Sequence, residues 1–138
     1  MTVPRKFDLE RWITLYARLA LGAAFLSGIA SRFGLWGKGV GYGDFAHFEA
    51  YTAQVNAFMP ARTIPFLAWS ATVAELVLGL ALVIGFKPRW TALASAGLLA
   101  VFGLAMAISF GPKEPLDYSV FTASACALLL ALHAPRKD

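Results

Sequence analysis

Charge is what this sequence has least of. Only 14% of its residues are Asp, Glu, Lys or Arg, against about 25% in ordinary soluble domains. A soluble fold needs a polar surface, and the chain lacks the residues to build one. Cysteine is scarcer still. Cys126 stands alone, which excludes an internal disulfide and any dithiol chemistry within the chain itself. No Cys-x-x-Cys exists to hold a metal or a c-type haem, and no Gly-x-x-x-x-Gly-Lys-Ser/Thr loop exists to cradle phosphate. With no nucleophile–base pair or metal cluster in view, an enzyme acting alone is the least expected reading.

What is present is apolar: 59% of the chain, gathered into blocks at 13–33, 64–86, 90–110 and, with a less definite start, 118–134. About 20 helical residues cross a hydrocarbon core of about 30 Å. The first three blocks have that length, and the fourth is near the lower limit. Barrel strands would alternate apolar and polar residues, whereas Leu76 to Gly85 is apolar throughout. In lipid such a run satisfies its backbone only as a helix. The expected fold is an all-α membrane protein, a four-transmembrane-helix bundle forming a single domain over residues 1–138. A cleaved signal peptide is the other reading of the first block, since Arg5, Lys6 and Arg11 precede it and Gly28-Ile29-Ala30 loosely resembles a cleavage site. Its apolar run is long for that role and contains Arg18.

Basic residues set the orientation. With the N-terminus inside, Arg5, Lys6, Arg11, Lys87, Arg89, Arg136 and Lys137 lie inside, and Arg32, Lys38, Arg62 and Lys113 outside. The bias favours both ends in the cytoplasm. The net charge of +4 then expresses topology and attraction to anionic membrane lipid rather than nucleic-acid binding.

The long outer connection opens with Gly34, Gly37, Gly39, Gly41 and Gly43, which break the helix. Asp44 can cap a new one over 44–59. Phe45, Phe48, Tyr51, Val55, Phe58 and Met59 share one helical face, with His47, Glu49, Gln54 and Asn56 between them, and Pro60 ends the element. This predicts an amphipathic helix lying on the outer membrane surface or capping the bundle. Small residues at multiples of four (Ala20, Ala24, Gly28; Ala71, Gly79; Ala92, Ala96, Ala100; Ala123, Ala127, Ala131) mark faces where helices approach closely.

Two ionisable residues fall inside the apolar blocks, Arg18 and Glu75. Each costs about 3 kcal/mol at the bilayer centre by insertion scales, so it needs a partner or a role. Arg18 is near enough to its helix start to snorkel to the interface, whereas Glu75 is central in its block. The helical rise separates them by about 9 Å along the membrane normal, and the lean of helical side chains toward their own N-termini widens the gap. A direct pair needs tilt, or a bridging water or ligand. Without one, Glu75 would be neutral and bonded to a group such as Ser124, Thr122 or Ser27. Trp12, Trp69, Trp90 and Tyr118 lie near block ends, as an aromatic belt requires; Trp69 and Tyr118 are also placed to line a pocket. Asp44, His47 and Glu49 have no recognised metal-ligand spacing and read as a solvated helix face.

Taken together, Arg18-Leu19-Ala20-Leu21-Gly22, Ser27-Gly28, Arg32-Phe33, Pro60, Glu75-Leu76-Val77-Leu78-Gly79, Gly85 and Arg89 resemble the DoxX family of small four-helix membrane proteins. The resemblance implies a multi-pass protein of the bacterial inner membrane, loosely associated with redox systems. Arg18 and Glu75 match the family's recurrent polar positions, while the single cysteine departs from relatives that use dithiols.

Two readings follow. In the first, the chain is a non-catalytic subunit of a membrane redox system. It binds quinone or another small apolar ligand near Glu75 and Arg18, with Trp69 and Tyr118 lining the site. In the second it is a scaffold or assembly factor, with Arg18 and Glu75 as a structural clasp and the amphipathic helix as a docking surface. Its expected partners are membrane lipid, a redox partner subunit or further copies of itself.

Overall fold

The structure, a computed structural model, describes residues 6–135. Of the basic residues that set the expected orientation, Arg5, Arg136 and Lys137 lie outside them. The described residues form helices and turns without a strand: α1 (Lys6–Arg32), α2 (Phe45–Val55), α3 (Ile64–Ile84), α4 (Pro88–Phe110), α5 (Lys113–Asp117) and α6 (Val120–His133), with a 3-10 turn at Ala61–Thr63 leading into α3.

Three of these helices, α1, α3 and α4, are long and apolar enough to cross a membrane. With 14 residues, α6 rises only about 21 Å. Between α4 and α6 the chain makes the short helix α5. Pro115 is tolerated there because the first turn of a helix has no internal use for its N–H groups.

Packing pairs α1 with α3 and α4 with α6, and both α1–α6 and α3–α4 contacts join the two pairs. The distribution of residues is inverted relative to a water-soluble protein. Ala68, Ala92, Ser95 and Ala127 are fully buried, while Val73, Val77, Ile84, Val101, Leu104, Ile108, Leu129 and Leu132 face outward. In water so large an apolar surface would drive aggregation; in lipid it is the solvated surface, and small interior residues let the backbones close up. The chain is a multi-pass membrane protein.

The expected small-residue faces of α4 and α6 meet, with Ala92 and Ala96 packed in one cluster with Ala127 and Ala131. Ser124 adds a hydrogen bond from its Oγ to the Ala96 carbonyl at 2.8 Å. On α1 the face is a different one. Ala20 and Ala24 are exposed, and a Cβ on Gly28 would meet nothing within 4 Å. It is Gly22 that abuts α3, where an added Cβ would lie 2.8 Å from Val83 Cγ2 and 3.0 Å from the Gly79 carbonyl oxygen. Leu21 and Phe25, buried on either side of Gly22, turn that face inward. Spacing alone did not single it out.

Candidate functional site

At the far end of α1 the chain folds back on the helix it has just left. Ser31 organises the return. Its Oγ accepts the Tyr42 backbone N–H at 2.8 Å and its carbonyl accepts that of Gly43 at 3.2 Å. Gly41 makes this possible, because its φ is +64° and a Cβ there would sit 2.2 Å from Ser31 Oγ. Asp44 then caps α2 by accepting the His47 backbone N–H at 2.8 Å. The helix presents Phe48, Thr52 and Val55 to the interior, and Ser109 of α4 donates to the Val55 carbonyl at its end.

Under this cap lies the buried charge of the protein. Arg32, the last residue of α1, is only 4% exposed and Glu75 only 8%. Arg32 Nη2 forms an ion pair with Glu75 Oε2, and Nη1 donates to Thr72 Oγ1 at 3.0 Å. Thr72 Oγ1 in turn donates to the Ala68 carbonyl at 2.8 Å. Above the guanidinium sits Phe48, with the Arg32 Cζ 3.7 Å from its ring centroid, a cation–π contact strengthened by the exclusion of water. One cation thus joins α1, α2 and α3. Arg32 Nε is left without an acceptor.

The expected pairing of Glu75 with Arg18 is therefore corrected: the partner is Arg32, about 21 Å further along α1 by the helical rise. The direction of side chains explains the choice. Side chains lean toward the N-terminus of their own helix, and α1 and α3 run antiparallel. Glu75 and Arg32 consequently lean toward each other, whereas Glu75 and Arg18 lean apart. The sequence held this signal, but Arg32 was counted only as a loop charge at the end of its block. Ser124, considered as a partner for a neutral Glu75, donates its hydroxyl to the Ala96 carbonyl of α4 instead.

Arg18 lies at the opposite end of the helices. Its Nη1 is 3.0 Å from where a Cβ on Gly85 would stand, and Gly85 ends α3 at φ +79°. There it lines a cavity of about 690 Å³. Trp69 is half exposed and stacks on Phe45 with centroids 4.3 Å apart, beside Phe33. Tyr118 is 67% exposed, just beyond α5. Of the four residues expected to share one site, Arg18 is therefore set apart at the opposite end, while Trp69 lies beside the Arg32–Glu75 pair.

Aromatic rings pack around the cap. Phe48 meets Tyr42 edge-on at 5.1 Å, Tyr42 lies against Tyr51, and Tyr51 stacks on Phe110 of α4. Burial, helped by the neighbouring Tyr51, pushes the Tyr42 phenol up to about 12. Burial also raises Tyr51. The Asp44 carboxyl is held below the usual range, first by the His47 backbone N–H and then by the His47 ring, whose Nδ1 lies 2.8 Å away. His47 and Asp44 are thus occupied with capping α2.

These features define a class: helical multi-pass membrane proteins whose interior charge is an inter-helix arginine–glutamate pair closed by a short cap helix. The family described as methylamine utilisation protein MauE matches residues 10–117, a stretch running from the first turns of α1 through α5, and the chain belongs to it. This corrects the resemblance to DoxX, which rested on short apolar strings around Arg18 and Glu75 that helices of this composition readily present. Neither the curated proteins nor the solved structures yield a match.

Proposed function

We propose that the chain is a non-catalytic subunit of a membrane redox system for amine oxidation, and that the Arg32–Glu75 clasp holds α2 in place as the surface a partner subunit docks on. The family's printed description, methylamine utilisation, supports the redox context, since oxidative deamination is one way to release the carbon and nitrogen of methylamine. In this reading the protein is a four-helix bundle of the bacterial inner membrane, with α6 as its shortest crossing and both ends in the cytoplasm. The contact of Glu10 in α1 with His133 in α6 supports placing the two ends on one side, and it leaves α2 on the other.

The observation that carries the proposal is the three-way engagement of Arg32. Its charge is spent on Glu75 and Thr72, and its face on Phe48. An ion pair so occupied supports a clasp better than it supports a quinone site at Glu75. Beside it, Phe33, Phe45 and Trp69 form a partly exposed aromatic stack, the kind of rigid surface that anchors protein interfaces.

Native mass spectrometry of the protein gently extracted from its own membrane tests this. The wild-type chain is expected to retain a second subunit, and Glu75→Gln to release it while remaining folded as a monomer. A complex that survives Glu75→Gln intact would rule the proposal out.

A further inference from the structure

The end of the molecule away from the clasp carries a feature with no part in that role. Between the N-terminal half of α1, the α3–α4 turn and the end of α6 is an open cavity of about 690 Å³, within the range of sites that take small organic ligands. Arg18 reaches into it from α1, one helical face along from Arg11, with Thr14 between them. Leu15, Pro88 and Leu130 give the cavity apolar walls.

Its charges are unequally satisfied. Glu10 also lines the cavity, but its Oε1 is engaged by His133 Nδ1 at 2.5 Å. Among the described residues, no hydrogen bond or ion pair engages the Arg18 guanidinium, whose Nε is buried without an acceptor. The Arg11 guanidinium is likewise without one; only its backbone carbonyl is used, by Thr14 Oγ1. An arginine partly withdrawn from solvent with idle donors is matched by a planar or tetrahedral oxyanion, which accepts two N–H bonds from one fork. Gly85 helps to keep the place open. Any side chain there would be strained at φ +79° and would press on the guanidinium.

We propose that this cavity binds a phosphate-class oxyanion, with Arg18 as its bidentate anchor, Arg11 as a second cation at the mouth, and Thr14 as a hydroxyl donor. The apolar walls suit an anion carried on an apolar stem, as a phospholipid headgroup is. With the ends of the chain in the cytoplasm, the cavity faces the leaflet that holds anionic lipid. The site is independent of the clasp, so it stands or falls separately from the docking role.

Thermal unfolding and native mass spectrometry of the full chain in a neutral detergent test it, with phosphatidylglycerol, diacylglycerol (the same apolar stem without a phosphate) and inorganic phosphate as separate probes. Wild-type protein is expected to bind phosphatidylglycerol at least tenfold more tightly than diacylglycerol, and Arg18→Gln to lose that preference, with Lys38→Gln at the other end keeping it. Competition by inorganic phosphate identifies a site for the free anion as well; its absence with binding of phosphatidylglycerol identifies a headgroup site. Should Arg18→Gln not fold, Arg11→Gln decides, with an expected weakening of severalfold. Equal binding of the two lipids without phosphate binding, or a preference untouched in both arginine variants, overturns the proposal.

Discussion

Arg32 and Glu75 lie on antiparallel helices and lean toward each other, so a cation at the very end of α1 meets a carboxylate buried three turns inside α3. The arrangement puts the ionic contact beneath α2, at the end of α1 and half-way along α3. Phe48 and Thr72 complete its surroundings. The tether of α2 to the rest of the protein is thereby electrostatic as well as apolar.

Phe48→Leu separates those two contributions. Leucine keeps an apolar, though smaller, side chain but removes the ring that faces the guanidinium, a contact worth about 2 kcal/mol when desolvated. Hydrogen exchange in α2 is expected to rise markedly, while that in α4 and α6 stays slow. Exchange that is uniform along the chain, or unchanged in α2, would show that the ring contributes only bulk.

Gly22 and Gly28 sit on the same helix and should respond oppositely. Gly22→Ala places a methyl group against Val83 and the Gly79 backbone, an overpacking expected to cost about 1–3 kcal/mol. Gly28→Ala meets open space and gains helix propensity, so it should be neutral or stabilising by up to about 1 kcal/mol. Melting temperatures in detergent check both, and a reversed order would mean that α1 presents a different face.

Gly41→Ala should loosen the loop that seats α2. Its Cβ would collide with Ser31 Oγ, and its φ is left-handed. The Tyr42 and Gly43 contacts to Ser31 would then be lost together. Limited proteolysis is expected to cut this variant between α1 and α2 well before the wild type. Resistance equal to the wild type would count against the Ser31 contacts as the organising feature.

Alkaline pH should weaken the cap through Tyr42. Its folded value of about 12 is above the ordinary value of about 10, so the folded state holds this proton more tightly than the unfolded chain does. The stability it contributes is complete below about pH 10 and is lost as pH rises toward 12. Tyr42→Phe should flatten the fall in melting temperature over that window and remove a phenol titrating near 12 from the ultraviolet absorbance. A variant that declines as steeply as the wild type would contradict this.

The apolar blocks made the three long helices legible, because a continuous apolar run in a chain this poor in charge has few other uses. The helix after Asp44 showed itself through a cap residue followed by a periodic aromatic face. Two things stayed hidden. Which glycine of α1 faces α3 depends on the rotation of the helix, and small-residue spacing is the same on several faces. The partner of Glu75 depends on reach and direction, and Arg32 at a block end resembled the other loop cations until the antiparallel lean of the two side chains was considered. The family, too, was obscured, since its signal is spread over residues 10–117 while the eye is drawn to the charged residues.

The pairing itself is open to one direct measurement, a double-mutant cycle on thermal stability with Arg32→Gln, Arg18→Gln and Glu75→Gln. Removing one member of a buried pair typically costs about 3–5 kcal/mol, and the Arg32 and Glu75 substitutions are expected to couple by about 1–3 kcal/mol. Those at Arg18 and Glu75 should add within about 0.5 kcal/mol. Additivity between positions 32 and 75, or coupling between 18 and 75 in its place, would contradict the account.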